Sequence, residues 1–273
     1  MISTKKQGKA LVLMLSLLVS FQLFAQAKLP DLIEKAALSV VGIGIFTPIE
    51  SRVPSLIGTG FVVGDGNYIV TNYHVVSKEL DPSIVQSYVA MVGEGRQYRS
   101  IKLDLIAFDP VHDLAILALK SAMPGTSAGS STGGAELSGL RLGSDDYLRA
   151  GSDVFFTGFP LGAVLGLYHA THTGIIAAVA PDINPARNAN QLTIDMLARL
   201  KQPFMIYQLD ATAYPGNSGS PVFDRETGEV VAVINKVFVQ AGKEAAISAP
   251  SGISYAIPIR HLRKLAKNNK IAL

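Results

Sequence analysis

From about Ser39 to Ile257 short runs of β-branched and aromatic residues alternate with breaks rich in glycine and polar side chains. That rhythm predicts strands rather than helices. Residues 39–46 alternate β-formers with glycine, and residues 60–63 and 68–71 are β-rich runs separated by Gly64-Asp65-Gly66-Asn67, a composition suited to a tight hairpin. Further strands are expected over 98–108, 114–119, 153–158, 173–180, 205–209, 222–223, 230–239 and 252–257. Residues 121–139 are rich in serine, glycine and alanine and read as a flexible surface connection. Between Pro181 and Pro203 lies a polar insertion in which residues 191–200 have the makings of a short helix. After Pro258 the apolar residues Ile259, Leu262 and Leu265 recur at helical spacing among Arg and Lys, so a closing amphipathic helix is expected over about 258–268. Many short strands with one terminal helix indicate an all-β barrel or sandwich. No repeat at solenoid periods is found, and no second folded domain is expected after residue 268.

The N-terminus follows a different logic. Lys5, Lys6 and Lys9 precede an almost unbroken apolar run over 10–24, and Ala25-Gln26-Ala27 supplies a small-x-small exit. This is the layout of a signal peptide over 1–27, cleaved after Ala27, and the apolar run is short for a membrane span. The chain has no Cys, which excludes a lipid-anchored lipoprotein and disulfide staples alike. Cleavage also changes the charge. Lys+Arg falls from 24 to 21, because three lysines leave, against an unchanged 21 Asp+Glu. A formally neutral mature chain gives no electrostatic ground for binding nucleic acid or acidic lipid. The expected location is therefore periplasmic or secreted, with no stable membrane insertion after cleavage.

Three segments carry chemistry: Ile69-Val-Thr-Asn-Tyr-His74-Val-Val, Asp109-Pro-Val-His-Asp113-Leu-Ala-Ile-Leu and Tyr214-Pro-Gly-Asn-Ser218-Gly-Ser-Pro-Val. A serine hydroxyl is a weak nucleophile until a neutral imidazole takes its proton. A carboxylate on the other ring nitrogen fixes the required tautomer. Gly216 lets the backbone curl so that the N–H groups of Gly216 and Ser218 converge on a developing oxyanion. His74, Asp113 and Ser218 are thus the candidate catalytic residues. Taken singly, each segment is also what an ordinary strand end or turn looks like. Asp104 and Asp109 are rival acids, but Asp113 alone opens the apolar Leu-Ala-Ile-Leu run. His112 is a neighbour rather than the base, since alternation in an extended segment points it the other way. His169 and His172 lack a third ligand at convincing spacing, so a structural role is expected and no metal or cofactor.

The matching stretches Gly58-Thr-Gly60-Phe, Thr71-Asn-Tyr-His74-Val-Val, Asp109 through Asp113-Leu-Ala, Gly158-Phe-Pro-Leu-Gly162, Gly216-Asn-Ser218-Gly and Tyr255-Ala-Ile-Pro258 resemble the trypsin-like serine protease superfamily, and within it the bacterial HtrA (Deg) protease domain. They run in family order over roughly residues 38–265. The resemblance implies two six-stranded antiparallel β-barrels, the first over about 38–121 and the second over about 141–257, joined by a connection at 122–140. His74 and Asp113 would come from the first barrel and Ser218 from the second. HtrA proteases usually add PDZ domains, so the expectation is a protease domain without them. Ser220-Pro221 after Gly219 is also similar to glutamyl endopeptidases, a sister group on the same fold.

By the same resemblance the base of the S1 specificity pocket is Thr212 with Ala213, and its walls are Asn235-Lys236-Val237 and Ile253. No carboxylate awaits Lys or Arg there, so small or medium apolar P1 residues are expected, with protein or peptide substrates. Glutamyl endopeptidases use a histidine where this chain has Asn235. The residue before the nucleophile is Asn217, not the aspartate by which digestive relatives capture a new N-terminus. Clipping the N-terminus is therefore not the expected activation switch. A lipase of the α/β-hydrolase kind would need Gly-x-Ser-x-Gly and the order Ser, acid, His, whereas here Ser220 replaces the second glycine, only His261 follows Ser218, and alternating strands and helices are absent. The remaining alternative is a non-catalytic binding or chaperone module on the same fold. Oligomeric state is left open.

Overall fold

Leu114, Ala115, Ile116 and Leu117 are consecutive and all fully buried, which a strand achieves only when both of its faces are covered. The computed structural model, which describes residues 28–122, 137–161, 166–182, 203–237 and 252–273, shows how. Strands β1 (Val40–Phe46), β2 (Ser55–Val63), β3 (Tyr68–Thr71), β4 (Ser87–Glu94), β5 (Gln97–Asp109) and β6 (Leu114–Ala122) close an antiparallel barrel in the order β1-β2-β3-β6-β5-β4. Strands β7 (Asp153–Gly158), β8 (Ala170–Pro181), β9 (Met205–Asp210), β10 (Pro221–Asp224), β11 (Val230–Val237) and β12 (Ile253–Pro258) close a second, in the order β7-β8-β9-β12-β11-β10. The strand order is the same in both, although no sequence repeat announces it.

Alternation along each strand sorts side chains between separate apolar clusters. In the first barrel Val62, Ile69, Ala115 and Leu117 fill the interior. Their neighbours Phe61, Val63, Val70, Leu114 and Ile116 face the other way, into a cluster shared with Phe155, Phe223, Val233 and Ile257 of the second barrel. Val154, Phe156, Ile176 and Leu209 fill the second interior. The shared cluster therefore ties the two barrels together. Helix α3 (Ile259–Asn268), the expected closing helix, adds Ile259, Leu262, Leu265 and Ala266 to it, with Pro258 as its N-cap.

Several elements were not anticipated, β4 and the first helix foremost. β4 reads Ser-Tyr-Val-Ala-Met-Val-Gly-Glu, where weak β-formers interrupt Tyr88, Val89 and Val92, yet it pairs with both β1 and β5, and its first five residues are buried. Tertiary context overrides propensity there. Helix α1 (Leu29–Ala37) follows Lys28, with Pro30 in its first turn, Asp31 near its start and Lys35 near its end, as the helix dipole favours. Its Leu29, Leu32, Ile33 and Ala36 pack on the shared cluster. The expected signal segment 1–27, most of the 121–139 connection and the expected helix at 191–200 lie outside the described residues.

Candidate active site

β5 and β6 are joined by a turn that Asp109 organises. Its Oδ1 accepts from the N–H groups of Val111 and His112, and its Oδ2 meets His112 Nδ1 at 2.6 Å. Burial alone would raise the Asp109 carboxyl, but the hydrogen bonds and charge of His112 outweigh it and hold the group below its ordinary value. Asp104, the other rival acid, forms a surface ion pair with Lys120 at 3.0 Å. Both carboxylates are occupied in local structure.

Asp113 ends that turn at a positive φ of 51°, a left-handed conformation that Asp tolerates better than most residues. The short helix α2 (Tyr73–Val76) lies opposite, at the end of β3. The Asp113 carbonyl accepts from Tyr73 N–H at 3.2 Å and from Asn72 Nδ2 at 3.1 Å, which docks the turn onto α2. Its carboxylate then grips His74 twice: Oδ1 accepts from the His74 N–H at 2.8 Å and Oδ2 meets Nδ1 at 2.6 Å. The carboxylate side chain is 13% exposed and the imidazole 49%, so the pair presents its free ring nitrogen side toward solvent.

Asn235 on β11 supplies a further donor, from Nδ2 to Asp113 Oδ2 at 2.5 Å. This contact is additional to the pocket-wall position expected of Asn235. Its side chain is committed to the carboxylate, because β11 of the second barrel runs past the Asp113 turn of the first. The carbonyl of the same residue accepts the Ser218 hydroxyl at 3.3 Å. Sequence reasoning singled out Asn235 but missed this role, which only the chain separation between the barrels creates.

Ser218 sits in the loop between β9 and β10. Gly216 has a φ of 101°, and a Cβ there would lie 2.3 Å from the Phe159 carbonyl oxygen, so glycine is required on both counts. Among the described residues neither the Gly216 N–H nor the Ser218 N–H has an acceptor, which leaves both available to a ligand oxygen. Gly58 separates Ser218 from the histidine helix. A Cβ on it would meet Val75 at 2.8 Å on one side and the Ser218 carbonyl at 3.3 Å on the other.

Of the expected pocket residues, Ala213 is fully buried and donates its N–H to Ser254 Oγ, which in turn donates to the Ala211 carbonyl. Thr212 and Ile253 are half-buried nearby in the chain. The side chains of Lys236 and Val237 lie outside the described residues. His169 and His172 do not converge on a common point of coordination. His169 Nε2 is 3.0 Å from the Val40 carbonyl of the first barrel, whereas His172 stacks on Phe156 and leans on Tyr214. Burial lowers the His172 pKa. His112 lies in the β5–β6 turn rather than in the extended segment expected of it, and its ring packs in a cluster with Phe204 and His261.

Paired six-stranded barrels, with an Asp–His couple on one and a glycine-flanked serine on the other, make the architecture of a trypsin-like peptidase. Over residues 58–233 the sequence matches the trypsin-like peptidase domain family, and the chain belongs to that family. It is 27% identical, over 91% of its length, to a probable periplasmic serine endoprotease DegP-like of Halomonas elongata. It is 29% identical, over 74% of its length, to the chloroplastic Protease Do-like 5 of Arabidopsis thaliana. The chain spans about half the length of these relatives, 51% and 53% respectively. Among solved structures its fold is similar to the HtrA-type protease AlgW with decapeptide, at TM-score 0.62 and 20% identity, covering 89% of this chain and 68% of that one. It is also similar to Deg5, at TM-score 0.56 and 25% identity, covering 86% and 90%.

Proposed function

We propose that the chain is a serine endopeptidase that cleaves peptide bonds of proteins through Ser218, His74 and Asp113. The observation that carries this reading is the double grip of Asp113 on His74, at 2.8 and 2.6 Å, bridged by Asn235 to the Ser218 hydroxyl. A carboxylate on Nδ1 leaves Nε2 as the acceptor that a serine needs. The Ser218 hydroxyl, which donates to the Asn235 carbonyl, must turn to Nε2 for the reaction. Its oxygen then bonds the scissile carbonyl carbon while the proton passes to His74. The oxyanion is received by the N–H groups of Gly216 and Ser218. Collapse breaks the C–N bond, with the proton handed to the leaving amine, and water releases the acyl group by the same route.

Substrates are proposed to be protein or peptide chains with small or medium apolar P1 residues, because Thr212, Ala213 and Ile253 offer no charge to a Lys, Arg or Glu side chain. Residues 1–27 are proposed to be a signal peptide cleaved before Lys28, which places the mature enzyme in the periplasm or outside the cell. Among the described residues no helix is long and apolar enough to cross a membrane. N-terminal sequencing of protein from its native host, beginning at Lys28, tests the export step. A fluorophosphonate probe tests the chemistry: a single adduct on the Ser218 peptide supports it, and an unlabelled folded protein contradicts it.

A further inference from the structure

The nucleophile loop belongs to the second barrel, yet a residue of the first holds it. Thr59 on β2 is completely buried. Its hydroxyl donates to the Gly216 carbonyl at 2.7 Å and accepts from the Phe159 N–H at 3.0 Å. The direction is fixed by chemistry, since a backbone N–H can only donate and so the single hydroxyl proton is left for Gly216. The backbone N–H of Thr59 meanwhile donates to the Ser218 carbonyl at 2.9 Å, and its carbonyl accepts the Thr71 hydroxyl at 2.6 Å. One residue therefore grips the loop on either side of Asn217.

Peptide planarity turns these grips into orientation. Holding the Gly216 carbonyl points the Asn217 N–H the other way, onto the Tyr214 carbonyl at 3.0 Å. The Pro215 carbonyl is held by the Leu161 N–H at 2.7 Å, so the Gly216 N–H turns away from Leu161. The Gly216 N–H lies in the Pro215 peptide plane that Leu161 holds, and Thr59 anchors the next plane across the Gly216 Cα, so the donor is tied on both sides.

We propose that Thr59 is a positioning residue whose hydroxyl, shared between Phe159 and Gly216, keeps the Gly216 N–H aimed at the oxyanion. The inference rests on the serine-peptidase reading above. Thr59→Ser keeps the hydroxyl, Thr59→Cys keeps serine's shape with a weak donor, and Thr59→Val keeps the volume with none. Misaiming an oxyanion donor is expected to cost roughly 10- to 100-fold in kcat, somewhat less than deleting one. That loss should appear in the Cys and Val variants with KM within about twofold of wild type, as befits an interaction made in the transition state. The Ser variant should stay within about threefold in kcat. Thr71→Val removes an equally buried hydroxyl that touches Thr59 but not Gly216, and is expected to lower the melting temperature while sparing kcat.

Equal kcat in the Ser and Cys variants would overturn the assignment, and this comparison stands even if valine prevents folding. A kcat loss in Thr71→Val as large as in Thr59→Cys would also overturn it, by showing a general loosening. Wild-type protein that hydrolyses nothing and takes no probe would refute the peptidase reading itself. Active wild type with unaffected Thr59 variants would refute only the role of Thr59.

Discussion

Asn235 donates its side-chain amide to Asp113 Oδ2, while its own carbonyl receives the Ser218 hydroxyl. A β11 residue thus touches both ends of a couple whose acid lies on the other barrel. A hydrogen bond to a charged group contributes about 1.5–3 kcal/mol, equivalent to roughly 10- to 100-fold in rate if it orients the couple. Asn235→Ala is expected to lower kcat by that range. Asn235→Asp should cost more, because two carboxylates would then face each other. Steady-state kinetics on a peptide substrate checks this, and unchanged kcat in both variants contradicts it.

Much of this site is visible in the sequence because its chemistry sits in contiguous segments. His74, Asp113 and Ser218 each carry a recognisable local context, and β7 runs over the very residues its pattern marks, Asp153–Gly158. What escapes notice depends on contacts between distant residues. Thr59 meets Gly216 across 157 positions, and Asn235 meets Asp113 across 122. No periodicity or motif encodes either pairing. β4 escapes for a related reason: Ala90 and Met91 form strand because β1 and β5 flank them, not because they favour it. The amphipathic face of α1 finds its purpose only once the shared cluster exists for Leu32 and Ile33 to cover.

Asp113→Asn should keep the fold and lose the activity. The amide can still accept from the His74 N–H, but an amide nitrogen opposite Nδ1 imposes the wrong tautomer. A fall of roughly 10⁴-fold in kcat is expected, with the melting temperature changed far less. Turnover within tenfold of wild type would contradict the assignment of Asp113 over Asp109 and Asp104.

Acid should destabilise the protein through His261. Burial pushes its pKa down from 6.5 to about 4, with the charges of His112 and Arg260 adding to the effect. Its Nε2 is buried without a hydrogen-bond partner among the described residues. Since folding lowers this pKa, the unfolded chain binds more protons between about pH 4 and 6.5. The stabilising contribution is therefore present above pH 6.5 and lost as pH falls toward 4. Calorimetry across this range is expected to show a falling melting temperature in wild type and a flatter profile in His261→Phe. Identical profiles would remove His261 as the cause.

Specificity should follow the uncharged character of Thr212, Ala213 and Ile253. An apolar pocket contact contributes only about 1–3 kcal/mol, so the preference for Val, Ala or Leu at P1 is expected to be broad. Profiling on a peptide library reads it directly. Dominant cleavage after Lys or Arg contradicts the pocket argument, and dominant cleavage after Glu assigns the chain to glutamyl endopeptidase-like specificity.

The central claim is that Ser218 is the nucleophile of a peptidase. Digestion of an unfolded protein substrate by the purified mature chain, beside its Ser218→Ala variant and read by mass spectrometry of the products, tests it most directly. The account predicts internal cleavage by the wild type and at least roughly 10⁴-fold slower release of the same peptides by the variant. Comparable turnover by the two, or none by a folded wild type, would contradict it.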